Sequence, residues 1–337
     1  MIEFLELSED RRRGLIENIT YTAGIQQKAL EKDWWVTLTL KALFTCKYKE
    51  HLIFKGGTSL SKCWKLIERF SEDIDIALAP EAFGMKYEEN PSATFVKKLK
   101  RAGCAFTSNE LKEEIEKKFI EIGVPAGMLK IEADPVKENM PDTDPQTLLI
   151  HYPTLIGTDD YLADVVKVEV SVRSLIEPNE KAQVQSLMSE SDRFSLFKEI
   201  PFEVVAVEPQ RTFLEKMFLL HEEFQKPDRA KIKSNRMSRH LYDLEKMMDK
   251  DAGTRALKDK ELYTTIIKHR SYYSRLQGID YSSHDNKTLA FIPPKEILEA
   301  YNKDYNTMRS VMIYGEAITF DKLIKRLNEL LERVRGI

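Results

Sequence analysis

Hydrophobic and polar positions along the chain fall into two rhythms. Leu52, Ile53 and Phe54 form a short apolar run that ends at Lys55-Gly56-Gly57-Thr58-Ser59, and further on Asp73-Ile74-Asp75-Ile76 alternates residue by residue. Both stretches predict strands, with a helix from about residue 59 to 68 between them. Successive side chains on a strand point to opposite faces, so Asp73 and Asp75 share one face while Ile74 and Ile76 line the other. The longest alternation is at residues 165–173, where Val166, Val168, Val170 and Val172 occupy one face and Lys167, Glu169, Ser171 and Arg173 the other. Weaker strand patterns occur at 128–136, 147–153 and 201–209, with a turn-rich stretch at 139–145 and a loop at 157–160.

Helical spacing governs the rest. Ser8 suits the N-cap of a helix over 9–22 carrying Leu15, Ile16 and Ile19, and Asp33 suits the cap of another over 33–44, with Trp34 and Trp35 as core. Helices are predicted at 91–102 and at 109–122, the second dense in Glu and Lys. Residues 178–193 are polar and read as a link. From Pro209 onward the pattern is helical: 210–224, 259–273, 294–313 and a last helix capped by Thr319 with Leu323, Leu327, Leu330 and Val334 on one side. This suggests an α/β domain over 1–208, with N-terminal helices and an insertion at about 80–145, and a helical domain over 209–337.

Composition narrows the class. The 337 residues suit two domains, and the formal net charge of −3 gives no global attraction to a polyanion. The largest positive cluster is local, at 226–239, with six basic residues against one acid; it reads equally as an RNA or triphosphate contact and as a solvated loop. Without a long apolar run, and with acids in the first ten residues, a cytoplasmic protein with no membrane partner is expected. Cys46, Cys63 and Cys104 lack zinc or disulfide spacing, and the six histidines form no metal-ligand motif.

The chemistry concentrates at residues 52–78. A glycine pair lets the backbone adopt positive φ and approach a ligand, and the helix after it offers unpaired N–H groups to phosphate. Two carboxylates converging from a strand are costly unless a cation neutralises them. Singly, each feature also fits an ordinary strand-to-helix turn capped by Thr58 or Ser59 and the wet face of a half-buried strand. Together, in order, with Arg69 and Ser71 between, they are specific. A Walker A loop is excluded, because no second glycine precedes Lys62 at the required place.

The run Lys55-Gly-Gly-Thr-Ser-Leu-Ser-Lys62 followed by Arg69-Phe-Ser-Glu-Asp-Ile-Asp75 resembles the core of polymerase-β-like nucleotidyltransferases, and most of all the AbiEii/AbiGii toxin family. Glu31-Lys-Asp-Trp-Trp35, Glu215-Lys216 and Arg239-His-Leu-Tyr-Asp243 extend the resemblance. It implies an α/β (α+β) fold with a mixed nucleotidyltransferase sheet and a helical C-terminal domain. It also implies Mg²⁺-dependent transfer of a nucleoside monophosphate from a nucleoside triphosphate to an acceptor hydroxyl. In that scheme Asp73 and Asp75 hold the metal. Glu169 is either the third carboxylate or a surface glutamate paired with Lys167 or Arg173. Lys55, Gly56, Gly57, Thr58, Ser59, Arg69 and Ser71 surround the nucleotide, Lys216 meets its phosphates, and Asp243 belongs to the active site. The family further implies the toxin of a bacterial toxin–antitoxin or abortive-infection system, tRNA or another RNA as acceptor, and a separate antitoxin protein. Transfer to a small molecule or a protein side chain, or a nucleotide-binding module without catalysis, are the alternatives.

Overall fold

The alternating and apolar runs of residues 1–208 become strands of a single mixed sheet. The computed structural model describes residues 1–136, 142–157, 163–192 and 197–337. Residues 139–141 of the turn-rich stretch, 158–160 of the following loop, and Arg193 lie outside the described residues. The strands are β1 (Leu52–Lys55), β2 (Asp73–Leu78), β3 (Lys130–Ala133), β4 (Gln146–His151), β5 (Val165–Ser171), β6 (Asn179–Val184) and β7 (Phe202–Val207), in the order β3-β4-β5-β2-β1-β7-β6. β2–β5 and β1–β7 pair parallel, and the other neighbours antiparallel. The most buried strands sit in the middle and the most exposed, β3 and β6, at the rims. The polar composition of 178–193 suggests a link, but β6 within it is an edge strand, where exposed Glu180 and Lys181 suit a rim that must not recruit further strands.

The chain divides into two compact units, residues 1–64 with 70–207, and residues 65–69 with 208–337. In the first, the Gln27–Thr45 helix packs on the sheet with Trp34, Val36, Leu40 and Leu43 buried. Trp35 stacks on Tyr152 at 5.1 Å, and the Trp34 Nε1–H donates to Glu199 Oε1 at 3.0 Å. Asp33 does not cap this helix. The helix begins at Gln27, and Asp33 lies inside it, bonded to Lys62 and accepting from the Leu187 N–H. Ser8 does cap the Glu9–Ala23 helix, accepting from the Arg11 N–H.

Residues 80–145, read as an insertion, contribute β3 to the sheet and a helical run of Ala93–Phe106, a π-helical stretch Thr107–Leu111, and Lys112–Glu121. Gly103 brings this run down onto β5's end: a Cβ there would lie 2.3 Å from Val172 Cγ1. The glycine-turn helix spans only Gly56–Lys62, and Lys65 then takes φ 51 as the chain enters the second unit.

The second unit is helical. Its main helices are Pro209–Phe224, Ser238–Met247, Asp251–Lys258, Lys260–Tyr273, Leu298–Val311 and Phe320–Arg335. Leu323, Leu327, Leu330 and Val334 are buried as their spacing requires, whereas the Thr319 side chain makes no cap bond. Asp304 accepts from the Ser238 N–H at 2.9 Å and so satisfies the first turn of the Ser238–Met247 helix.

His221, on the Pro209–Phe224 helix, is held neutral. Burial, with His284 edge-on against it, pushes the imidazole down to about 4, and its Nδ1 accepts from the Ala290 N–H at 3.0 Å. An unfolded histidine takes its proton near pH ~6.5, so between there and about 4 the unfolded chain binds more protons than the folded one. The His221 contribution is therefore complete above the unfolded value and is lost as pH falls toward the folded one. Urea midpoints measured across this window should decline less steeply in a His221→Asn variant, which keeps an acceptor for Ala290 without the titration; equal slopes would contradict the assignment.

Candidate active site

The chemistry of the first unit gathers where β1 runs into the glycine turn. β1 and β2 pair antiparallel with Lys55 opposite Asp75. Gly56 has φ +79, and a Cβ at this position would lie 2.0 Å from Asp75 Oδ2. The Asp75 carboxylate thus abuts the backbone of the turn, and only glycine leaves room for it. Among the described residues nothing hydrogen-bonds or ion-pairs with this carboxylate. The expected hydroxyls shape the turn instead of lining it. Thr58 Oγ1 donates to the Asp73 carbonyl and lies 2.9 Å from Ser71 Oγ, while the Ser59 O–H donates to the Gly56 carbonyl at 2.9 Å. Both side chains are buried. Any phosphate contact from Thr58 and Ser59 therefore falls to their backbone, with Gly56, Gly57 and Lys55 beside them.

Asp73 and Asp75 are half-buried on one face of β2, with Ile74 and Ile76 fully buried on the other. The parallel neighbour β5 sets Lys167 level with Asp73 and Glu169 level with Asp75. In register on adjacent strands, Lys55, Asp75 and Glu169 share one face. No three Asp, Glu, His or Cys side chains among the described residues gather into a metal-holding group, so Glu169 stands level with the pair without closing a three-carboxylate cluster. Two hard-oxygen ligands beside an approachable backbone turn still fit Mg²⁺, which keeps several waters and takes one or two carboxylates plus substrate phosphates.

Arg69, Lys216 and Asp243 lie in the second unit. Arg69 grips Asp243 through two bonds, Nε to Oδ1 at 2.7 Å and Nη2 to Oδ2 at 2.8 Å, and Lys216 Nζ stands 2.9 Å from Oδ2. His240 Nδ1 is 3.4 Å from Lys216 Nζ. Burial raises the Asp243 carboxyl, but Arg69 and Lys216 outweigh it and hold the group ionised, well below the carboxylate range. Burial lowers the Lys216 ammonium against the pull of Asp243, and burial with Lys216 nearby keeps His240 neutral. Arg69, expected beside the nucleotide, is thus bonded to a carboxylate far along the chain. Its own segment is fastened where the Tyr314 and Gly315 N–H groups donate to the Glu68 carbonyl at 3.1 and 3.2 Å.

The basic stretch at 226–239 is partly engaged by its own loop. Lys226 pairs with Glu223, Arg229 Nη1 donates to the Phe224 carbonyl at 2.8 Å, and Lys231, though exposed like Lys233, lies 3.4 Å from Asp228. Glu31, Lys32 and Lys62 stand in the quoted family pattern, but that pattern does not tell that they, with Lys28, are buried charges. The available signal was three consecutive charges, Glu31-Lys32-Asp33, inside an otherwise apolar helical run.

Two substitutions test this geometry. Gly56→Ala forces both a strained φ and a collision with Asp75, and should cost about 1–3 kcal/mol in urea unfolding; an unchanged midpoint would refute the close approach. Asp243→Ala strands two buried cations and should cost about 3–5 kcal/mol. A loss below 1 kcal/mol would mean that the cluster is not buried as described.

The profile of the family described as nucleotidyl transferase AbiEii toxin, type IV toxin–antitoxin system, matches residues 39–330. Comparison with curated proteins gave no match. No helix among the described residues is long and apolar enough to cross a membrane. The matched span takes in the glycine turn and both β2 acids, on a mixed sheet of the kind a nucleotidyltransferase carries, and, on helices of the second unit, Lys216 and Asp243. The chain belongs to the AbiEii nucleotidyl transferase toxin family of type IV toxin–antitoxin systems.

Proposed function

We propose that the protein is a Mg²⁺-dependent nucleotidyltransferase that moves a nucleoside monophosphate from a nucleoside triphosphate to a hydroxyl of an RNA acceptor, with tRNA the favoured class. The observation that carries this reading is the contact between the Gly56 backbone and the Asp75 carboxylate: the turn proposed for phosphate and the acid proposed for the metal are then neighbours. Asp73 and Asp75 would hold Mg²⁺. When bound, the ion would supply positive charge to offset that of the triphosphate and would make the acceptor hydroxyl easier to deprotonate. The residues' own task is positioning. The Gly56–Gly57 backbone and the Lys55 ammonium orient the triphosphate, and Glu169, level with Asp75, is placed to assist the metal or receive the acceptor's proton. Lys216 and Asp243, with Arg69, act as a charged element of the second unit in support of nucleotide binding.

Exposed Lys231 and Lys233 favour an RNA backbone, and family membership favours a separate antitoxin protein as the opposing factor. The near balance of charge, with Lys226 and Arg229 already engaged, favours the second reading, a small-molecule or protein acceptor.

The test is incubation of purified protein with each α-labelled triphosphate, Mg²⁺ and total RNA. Label should enter RNA, disappear with a chelator, and fall about a hundredfold or more in Asp75→Asn. Label in protein or a small molecule alone would select the second acceptor class. No label from any triphosphate, or full activity in Asp75→Asn, would overturn the proposal.

A further inference from the structure

We infer that Lys32 and Asp33, neighbours on the Gln27–Thr45 helix, are positioning residues that fix the glycine turn against the acid strand. The Lys32 ammonium is bonded to the Glu72 carboxylate and donates to the Ala163 carbonyl at 2.9 Å. Asp33 Oδ1 meets Lys62 Nζ at 2.7 Å, and its Oδ2 accepts from the Leu187 N–H at 2.6 Å. Lys62 in turn donates to Thr37 Oγ1 of the same helix at 2.7 Å. Glu72 immediately precedes Asp73, and Lys62 closes the helix that opens with Gly56. One helix therefore holds, through two consecutive residues, the far end of the turn helix and the near end of the acid strand.

Stability alone gives no reason for these charges. Each of the four side chains is 7% exposed or less, and desolvation on that scale cancels most of the attraction, so apolar replacements of both partners are often neutral or stabilising. What an ion pair supplies that a methionine does not is a fixed length and direction. That is the property the site needs: the Gly56–Asp75 contact leaves no slack, and a shift of about 1 Å in a reacting constellation costs on the order of a hundredfold in rate. Lys28, buried on the same helix, pairs with the partly exposed Asp164 and with Glu31 at 3.7 Å, and bonds the Thr154 hydroxyl and the Gly157 carbonyl. It touches neither the turn nor β2, and so serves as an internal control.

The consequence for catalysis rests on the proposed nucleotidyl transfer; the geometry does not. The test compares three paired apolar variants, Lys32→Met/Glu72→Met, Asp33→Leu/Lys62→Met and the control Lys28→Met/Asp164→Leu. The readouts are urea midpoint, amide hydrogen exchange, and kcat and KM for transfer. The first two pairs should keep a near-wild-type midpoint, yet exchange at residues 56–59 and 73–75 should quicken at least tenfold and kcat fall at least tenfold with a smaller change in KM. The control, which also takes the Lys28 cation from buried Glu31, should leave exchange at 56–59 and 73–75, kcat and KM unchanged whatever its midpoint, and Lys32→Arg, which retains the pair, should recover most of kcat. Unaltered exchange at 56–59 and 73–75 in the first two pairs, or the same acceleration in the control, would overturn the inference. If the paired variants do not fold, Lys32→Gln and Asp33→Asn replace them, with Lys28→Gln as control; each strands a buried charge and should lower the midpoint, so the decision rests on whether exchange quickens at 56–59 and 73–75 beyond the change in the control. Absence of transfer in the wild type would remove the proposed function while the exchange measurement still decides this point.

Discussion

The approach of the Asp75 carboxylate to the backbone of Gly56 is the constraint around which the first unit is arranged. It requires a residue without Cβ at the end of β1 and a left-handed φ at that residue, and the register that sets Lys55 opposite Asp75 delivers the acid to that spot. The parallel pairing of β2 with β5 then places Glu169 level with Asp75 on the same face. On the opposite face Ile74, Ile76, Val166, Val168 and Val170 are buried, so the acids cannot turn away without exposing core. The position of the charged groups is thus a consequence of apolar alternation on the far side of the sheet.

Charge is handled differently in the two units. In the first, acids stand half-exposed on the sheet, while the buried charges of the Gln27–Thr45 helix are each matched by a partner from a neighbouring element. In the second, one carboxylate serves two cations, Arg69 and Lys216, with a neutral His240 beside them. That arrangement sets two basic side chains against one acid in a buried place. The five residues that include Arg69 belong with the second unit although they lie between the glycine-turn helix and the acid strand, so the chain itself links the two chemistries.

Local pattern made much of this legible. The alternation of Asp and Ile on β2, the valines of β5 and the Lys-Gly-Gly-Thr-Ser turn are all period or composition signals confined to a few residues, and they located the strands and the turn. The rest depends on partners distant in sequence. Asp33 looked like a cap because an acid before an apolar helical run usually is one; its actual partner, Lys62, is recognisable only once the helix lies beside the turn. Arg69 and Lys216 carried the right charge for phosphate, but nothing near them in the chain announced that Asp243 would engage both. β6 was hidden for the opposite reason, since a rim strand with Glu180 and Lys181 has the composition of a linker.

The most direct measurement is a crystal structure grown with Mn²⁺ and a non-hydrolysable nucleoside triphosphate, with the ion located by its anomalous signal. The account predicts a peak at coordination distance, about 2.0–2.3 Å, from both the Asp73 and Asp75 carboxylates, with the triphosphate lying along the backbone of Gly56 and Gly57. An ion and nucleotide bound elsewhere, with those carboxylates empty, would contradict it.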